Sequence, residues 1–266
     1  MNTSPDIRYY YINLDRATDR RASAEKQAAD FGIELERIEA VAGKDLDIGS
    51  IAAYDRKRRL SEFAAELTAN EHACIMSHLK ALQAFVDSGA KYGIIMEDDF
   101  VLHPQFNEGI TWLTEKTSGW QALKLFTEDG SKLYPLHAPI KDCPWEIVFP
   151  KKLPWVAVGN IYTQEGAKRV LKGFERYWMG YDVQWAWITL GQDIPCCGIT
   201  PTLVNTSDPK NENSTIDAED SRVAYFEKHR REQTLKNYIV HRLSVWIMAW
   251  GKLRMRARMK SLLKFH

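Results

Sequence analysis

Three consecutive acids follow a short apolar stretch in the first half of the chain. Residues 93–96 have the apolar, β-branched character of a buried strand, and Glu97, Asp98 and Asp99 come directly after them. The chain turns apolar again at Phe100. The sequence therefore predicts that this acidic triplet, Glu97 to Asp99, lies at the edge of a hydrophobic core.

Carboxylates that lie side by side repel one another, and one of them takes up a proton unless a cation neutralises the group. Carboxylate oxygens suit Mg²⁺ or Mn²⁺ better than Zn²⁺. The acidic triplet therefore predicts a divalent-cation site. The alternative is a solvated acidic turn that follows a buried strand and has no chemical role.

A further acid, Asp182, lies among aromatic and apolar residues in the stretch Met179–Trp185. Burial in such surroundings raises the pKa of a carboxyl group and suits it to act as a general base. Asp182 is therefore the candidate base. The alternative is a structural role, in which Asp182 caps a helix that runs from Val183 to Leu190.

The elements before the acidic triplet follow the opening pattern of a nucleotide-binding α/β sheet. Residues 9–14 are predicted to form a strand, a helix follows and ends at Gly32, and a second strand covers residues 37–41. In such sheets ligands bind beyond the carboxyl ends of the strands. The basic loop that follows the first strand is thus expected near a ligand.

A second helix leads into the strand that carries the triplet. Thr68 and Glu71 have the spacing of a capping box, and Gly89 ends the helix. His78 lies at the edge of its apolar stripe, where a lone histidine is more often a hydrogen-bonded residue of the core rim than a ligand. The preceding charge run, residues 54–59, predicts a mobile solvated loop.

Later elements are predicted from shorter apolar runs. A helix is expected over residues 106–114, and another begins after Thr163. Strands are expected over residues 122–126, 146–149, 155–162 and, as a pair, 194–204, and residues 205–220 are expected to form a loop.

Composition places the chain among globular proteins with one large α/β domain, or a domain and a small appendage. Its 266 residues are 45% apolar and 27% charged. The formal net charge of +1 gives no support for a nucleic-acid partner. Nine Trp, eleven Tyr and ten Phe indicate a cleft with aromatic walls.

The cysteines and the N-terminus predict a cytoplasmic protein. The cysteine spacing indicates neither a zinc site nor a disulfide framework, which fits a reducing compartment; the residues are Cys74, Cys143, Cys196 and Cys197. The first residues lead into a strand without the long apolar region of a signal peptide.

The C-terminal residues predict a basic amphipathic helix. No acid follows Glu232, whereas lysines and arginines recur up to Lys264. The apolar centre, residues 243–250, is far shorter than the roughly 20 residues of a membrane span. We expect this helix to lie on an anionic membrane surface. The alternative is that Trp246 and Trp250 pack on the domain.

Three blocks of sequence resemble the glycosyltransferases of family 25, the lipooligosaccharide galactosyltransferase family to which the collagen galactosyltransferases are related. The blocks are Tyr11–Arg16 with Asp19–Arg21, Leu67–Leu79 and Ile95–Phe100. The resemblance covers residues 7 to 104 and continues more loosely to Asp182. It implies a Rossmann-like GT-A fold over residues 1–220, followed by the basic helical segment 221–266. It also implies a UDP-sugar donor, commonly UDP-galactose, and inversion at the anomeric carbon.

The resemblance assigns roles to the acids. The triplet looks like the acidic DxD motif of GT-A enzymes, with Glu97 and Asp99 as ligands of Mn²⁺ or Mg²⁺, Mn²⁺ being preferred. Asp98 would then bind sugar or ribose hydroxyl groups. The sequence departs from DxD because glutamate stands first, and its longer side chain can reach the metal through water.

The resemblance also implies which residues face the nucleotide sugar. Asn13, Leu14 and Arg16 would contact uracil and ribose, and Arg20 or Arg21 a phosphate group. The turn from Ala42 to Asp45, which includes Lys44, resembles a second nucleotide-facing turn. His78 belongs to the second block and gains a site role from it.

The function expected from these observations is transfer of a hexose, most commonly galactose, to a lipid-linked glycan at the inner face of the cytoplasmic membrane. The partners would be the UDP-sugar donor, a glycolipid or oligosaccharide acceptor such as lipooligosaccharide or lipopolysaccharide, and the anionic membrane surface. One alternative is a metal-dependent phosphohydrolase. Another is a membrane-associated scaffold that has the fold but no turnover.

Overall fold

An eight-stranded mixed β-sheet forms the centre of the fold. The computed structural model describes residues 6–63, 65–127, 133–151, 157–207 and 235–266. The strands are β1 (Ile7–Asn13), β2 (Leu35–Glu39), β3 (Tyr92–Glu97), β4 (Phe100–Leu102), β5 (Thr117–Ser118), β6 (Ala122–Lys124), β7 (Leu133–Pro135), β8 (Glu146–Pro150), β9 (Gly159–Thr163), β10 (Cys196–Thr200), β11 (Val204–Thr206) and β12 (Lys264–Phe265). The helices are α1 (Thr18–Phe31), α2 (Arg56–Glu62), α3 (Ala69–Ser88), α4 (Phe106–Lys116), α5 (Gln164–Gly173), α6 (Tyr181–Gly191) and α7 (Leu235–Leu262).

The sheet has one parallel half and one mixed half. Its strand order is β2-β1-β3-β9-β6-β10-β8-β7. The first three strands run parallel, and β9 runs antiparallel to both β3 and β6. Because α1 follows β1 and α3 precedes β3, the parallel half is Rossmann-like. The predicted α/β class and the GT-A-like, Rossmann-type architecture are confirmed.

The acidic triplet begins where β3 leaves the core. Ile94, Ile95 and Met96 are fully buried, as expected for a central strand that is covered on both faces. Glu97 is the last residue of β3 and is partly exposed. The apolar run therefore fixes the position at which the acids emerge.

Helix α3 forms where the sequence predicts it. The Thr68 hydroxyl accepts a hydrogen bond from the amide of Glu71 at 3.2 Å, and the Glu71 carboxylate accepts one from the amide of Thr68 at 2.9 Å. The capping box is thus confirmed. Gly89 ends the helix in the left-handed conformation with φ of 70°.

The prediction of a mobile loop at residues 54–59 is wrong, because most of this charge run forms α2. The Asp55 carboxylate accepts a hydrogen bond from the amide of Arg58 at 3.1 Å and so caps the helix. Arg58 pairs with Glu62 one turn later at 3.0 Å. Arg59 is buried, and its Nε donates to the carbonyl of Ala65 at 2.7 Å. These contacts stabilise a helix that the high density of charged residues in the sequence did not indicate.

Several predicted elements are present with shifted ends. Helix α6 begins at Tyr181 with Gly180 at the N-cap position, so the alternative role of Asp182 as the helix cap is wrong. The strand predicted over residues 155–162 corresponds to β9, and Trp155 and Val156 lie outside the described residues. Of the loop predicted for residues 205–220, the first two form the end of β11, and residues 208–220 lie outside the described part.

The described part of the predicted C-terminal segment consists of helix α7 and the short strand β12. Met255 and Met259 are fully buried against the domain. The Ser244 hydroxyl donates to the Glu62 carboxylate at 2.9 Å, which ties α7 to α2. None of the helices in the described residues has the length and apolar content needed to cross a membrane.

Gly93 tests how tightly α3 packs on β3. A Cβ atom at this position would lie 2.3 Å from Cγ of the buried Phe85 ring. We expect Gly93→Ala to lower the free energy of unfolding by about 1–3 kcal/mol, since the ring and strand must move apart. Gly191→Ala is the control because its Cβ would meet no atom within 4 Å. Urea denaturation measures the free energy of unfolding of both variants, and equal stabilities would contradict this packing.

Candidate functional site

A large cavity lies at the carboxyl ends of β1 and β3. Its volume is about 1210 Å³. The acidic triplet and Leu14 line it on the sheet side, and residues of α3, α6 and α7 line it elsewhere. This is the edge at which α/β sheets of this kind bind ligands. It is therefore the candidate active site.

Asp98 is held from two sides. One carboxylate oxygen accepts a hydrogen bond from Asn13 Nδ2 at 2.7 Å, and the other pairs with Arg20 at 3.1 Å. Burial raises the pKa of Asp98, and the contacts with Asn13 and Arg20 act against that rise. The structure thus brings three predicted site residues together.

Asn13 is buried beneath the cavity rather than at its surface. Its Nδ2 donates to Asp98 and to the carbonyl of Ala17 at 3.1 Å, and its Oδ1 accepts from Arg37 Nε at 3.1 Å. Both ends of the amide are therefore engaged within the protein. This geometry suits a residue that orients Asp98.

Asp99 has an unsatisfied acceptor. Its Oδ2 accepts a hydrogen bond from the Thr206 hydroxyl at 2.6 Å. Its Oδ1 is buried, and no hydrogen-bond donor contacts it within the described residues. Burial and the neighbouring Glu97 raise the pKa of Asp99. A buried carboxylate oxygen without a donor fits a hard divalent cation, and Glu97 lies on the same turn.

His78 is the contact between α3 and the acidic triplet. Its Nε2 lies 3.1 Å from Glu97 Oε1, and its ring stacks on Tyr181 with centroids 3.8 Å apart. Cys74, one turn earlier on α3, completes a group with His78 and Glu97 in which one ligand atom of each lies within 4.8 Å of the others. A thiol, an imidazole and a carboxylate can also hold a softer metal such as Zn²⁺. The sequence signal was the Cys-His spacing of four on one helix, which a search for CxxC misses.

Asp182 faces a buried lysine that the sequence reasoning missed. Lys124, the last residue of β6, is fully buried, and its Nζ donates to Asp182 Oδ1 at 3.3 Å. Burial raises the pKa of Asp182, and the Lys124 ammonium acts against that rise. The available signal was a lysine inside an apolar strand, since a buried charge needs a partner.

The remaining predicted residues separate into two groups. Leu14, Arg16, Arg20 and Ala42 line the cavity. Lys44 is exposed and is not part of the lining. The turn that contains Lys44 also packs on α3, where a Cβ on Gly43 would lie 2.3 Å from Asn70 Oδ1.

Residues 6–185 match the family model described as glycosyltransferase family 25 (LPS biosynthesis protein). The chain belongs to glycosyltransferase family 25. The matched range contains the acidic triplet, Lys124 and Asp182, whereas α7 lies beyond it. The family match therefore covers the sheet side of the cavity but not the helix that lines its far side.

Curated relatives of family 25 match this chain at low identity. A glycosyltransferase 25 family member of Anopheles gambiae is 26% identical over an alignment of 180 residues, which covers 61% of this chain and 28% of that protein. Procollagen galactosyltransferase 2 of Mus musculus is 28% identical over 171 residues, covering 61% of this chain and 27% of that protein. The chain thus spans about a quarter of the length of these relatives.

A solved structure, titled as a glycosyltransferase involved in the glycosylation of the major capsid of PBCV-1, aligns with 73% of this chain and 82% of its own. The TM-score is 0.38 and the sequence identity is 12%.

The Lys124–Asp182 pair makes a stability prediction. Asp182→Asn leaves a buried ammonium without its carboxylate, and Lys124→Met leaves the carboxylate without its cation. We expect each single substitution to cost about 1–4 kcal/mol, and the double variant to recover roughly 1–3 kcal/mol of the summed loss. Denaturant unfolding of the four proteins measures this coupling.

The pair of Arg21 and Glu25 provides the control cycle, because it also joins a cation to a carboxylate but is exposed to solvent. Arg21→Met and Glu25→Gln should couple by less than about 1 kcal/mol. Additive losses at Lys124 and Asp182 would contradict a buried, mutually dependent pair.

Proposed function

We propose that this family 25 chain is an inverting glycosyltransferase that transfers a hexose from a UDP-sugar to a hydroxyl group of a surface glycan. The observation that carries the proposal is that one cavity is lined both by the acidic triplet and by Asp182, which pairs with the buried Lys124. Galactose is the proposed sugar, because curated relatives are named as galactosyltransferases. The proposed acceptor is lipooligosaccharide, lipopolysaccharide or another surface glycan, in keeping with the family description.

The acidic triplet is the proposed donor side. Bound Mn²⁺ or Mg²⁺, of which we favour Mn²⁺, would stabilise the negative charge that develops on the leaving diphosphate. Glu97 and Asp99 would hold it, in line with the unsatisfied Asp99 oxygen. Asp98, fixed by Asn13 and Arg20, has further lone pairs with which to accept hydrogen bonds from sugar or ribose hydroxyls.

Further groups support nucleotide binding on this side. Arg16 and Arg20 line the cavity and provide guanidinium groups for the phosphates. Leu14 and Ala42 line it as well and offer apolar contact to the base. His78, held against Glu97 and Tyr181, fixes the orientation of the first acid.

Asp182 is the proposed base. Inversion by single displacement requires one group that accepts the proton of the acceptor hydroxyl as its oxygen attacks C1 of the sugar. The proton moves to Asp182, and the bond from C1 to the diphosphate oxygen breaks. Burial suits Asp182 to accept a proton, and Lys124 keeps the carboxylate charged beforehand and holds its orientation.

Helix α7 is the proposed contact with an anionic membrane at the cytoplasmic face. Trp246 and Trp250 are 65% and 66% exposed, so they do not pack on the domain. Ile239 and Leu253 are also exposed along this helix. Arginine and lysine side chains follow in the same helix, and the described residues 235–266 contain no acid. An exposed apolar and aromatic surface on a basic helix suits the headgroup region of an anionic bilayer.

The proposed activity predicts metal-dependent UDP release. With a panel of nucleotide sugars and a glycolipid acceptor, UDP-galactose with Mn²⁺ should give the highest release. Chelation should abolish it and added Mn²⁺ should restore it. Asp99→Asn should lower the rate at least about 100-fold, because the negative charge that develops on the leaving diphosphate would be less well stabilised.

Lys260→Gln is the control, since Lys260 is exposed on α7 and outside the cavity. Release that is indifferent to chelation would refute the role of the triplet. Cleavage of simple phosphate esters without a sugar acceptor would favour a phosphohydrolase, and no turnover with any donor would favour a scaffold.

The proposed membrane contact predicts a loss of vesicle binding in Trp246→Ser/Trp250→Ser. We expect affinity for phosphatidylglycerol vesicles to fall at least about 10-fold, because the aromatic anchors are removed while the charge stays. Val101→Ser removes an exposed apolar side chain from β4 and should bind like the parent. Sedimentation with vesicles measures both, and unchanged binding of the tryptophan variant would exclude this surface.

A further inference from the structure

Helix α7 directs two cations toward the cavity. Lys252 and Arg256 are one turn apart on the helix, both are half-buried, and both line the cavity. Arg254 lies between these two residues in the sequence and Arg258 follows them, and both arginines have a different environment. Both pair with Asp193, at 3.0 and 3.7 Å. The same helix thus carries one pair of neutralised cations and one pair that faces the cavity.

The cavity-facing pair has no acidic partner within the described residues. Within those residues Lys252 makes no hydrogen bond or ion pair, and the guanidinium carbon of Arg256 lies 3.8 Å from the centroid of the Tyr134 ring. The helix cannot supply an acid, because none follows Glu232 in the sequence. A half-buried charge without a counter-charge is costly and is stabilised when an anion binds.

The surroundings favour a multiply charged anion. Lys252 is half-buried, and this burial lowers the pKa of its ammonium group. Lys151, which follows β8, lines the same cavity and adds positive charge. An ammonium beside a planar guanidinium fork matches the charge and geometry of phosphate oxygens. A phosphate group carries up to two negative charges and can therefore balance both cations.

We propose that Lys252 and Arg256 form a phosphate-binding site on the α7 side of the cavity. Its ligand bears a phosphate group, which belongs either to the diphosphate of the donor or to a phosphorylated acceptor. These two sources rest on the proposed function, whereas the anion site itself does not. Because α7 lies beyond the residues that match family 25, this site is supplied by a part of the chain that the match does not include.

The test is calorimetric titration of the full chain with inorganic pyrophosphate in the presence of a chelator. Lys252→Gln/Arg256→Gln should weaken binding at least about 10-fold, because both charge-assisted contacts are lost. The matched control is Arg258→Gln/Lys260→Gln, which removes the same charge from the same helix outside the cavity and should bind like the parent. The single variants Lys252→Gln and Arg256→Gln, with circular dichroism, keep the test valid if the double variant unfolds.

Titration with UDP identifies the source of the phosphate. Weaker binding of both UDP and pyrophosphate assigns the site to the donor diphosphate. Weaker binding of pyrophosphate alone assigns it to a phosphorylated acceptor. The inference is overturned if the parent does not bind pyrophosphate, if the cavity variant binds it unchanged, or if the control variant loses as much. None of these titrations requires turnover. The phosphate-binding site and the proposed transferase activity can therefore be disproved independently of each other.

Discussion

The need to neutralise buried charge governs the arrangement of this cavity. Three carboxylates lie together where β3 ends at the edge of the core. Each of them contacts a different part of the chain. Glu97 contacts His78 of α3, Asp98 contacts the end of β1 and the start of α1, and Asp99 contacts Thr206 of β11. Each acid therefore holds a separate element in place. One oxygen of Asp99 keeps no donor within the described residues, and this is where the proposed cation fits.

The same constraint operates around Asp182 and on α7. Lys124 is withdrawn from water at the end of β6 and is compensated by one carboxylate, which is the proposed base. Lys252 and Arg256 face the cavity without such compensation, and a phosphate-bearing ligand is proposed to supply it. The cavity thus has carboxylates on its sheet side and further cations on α7, which suits a ligand that carries phosphate groups.

Much of the fold follows from local sequence signals. The capping box at Thr68 and the glycines after α1 and α3 determine helix ends by local hydrogen bonds and backbone geometry, so the sequence alone predicts them. The acidic triplet is predictable because an apolar run ends beside it. Helix α2 was missed because its charges are neutralised by partners along the helix and by Glu66, a pairing that charge density does not reveal. Lys124 and Cys74 were missed because their site partners, Asp182 and Glu97, are distant in sequence.

In the proposed mechanism the triplet binds the donor and Asp182 removes the proton of the acceptor hydroxyl. Steady-state transfer and UDP affinity of Asp182→Asn, measured under conditions in which the variant is folded, test it most directly. We expect kcat to fall about 100- to 10 000-fold, because an amide cannot accept the proton, and UDP affinity to stay close to that of the parent. An Asp182→Asn enzyme that transfers sugar at the parent rate would contradict this mechanism.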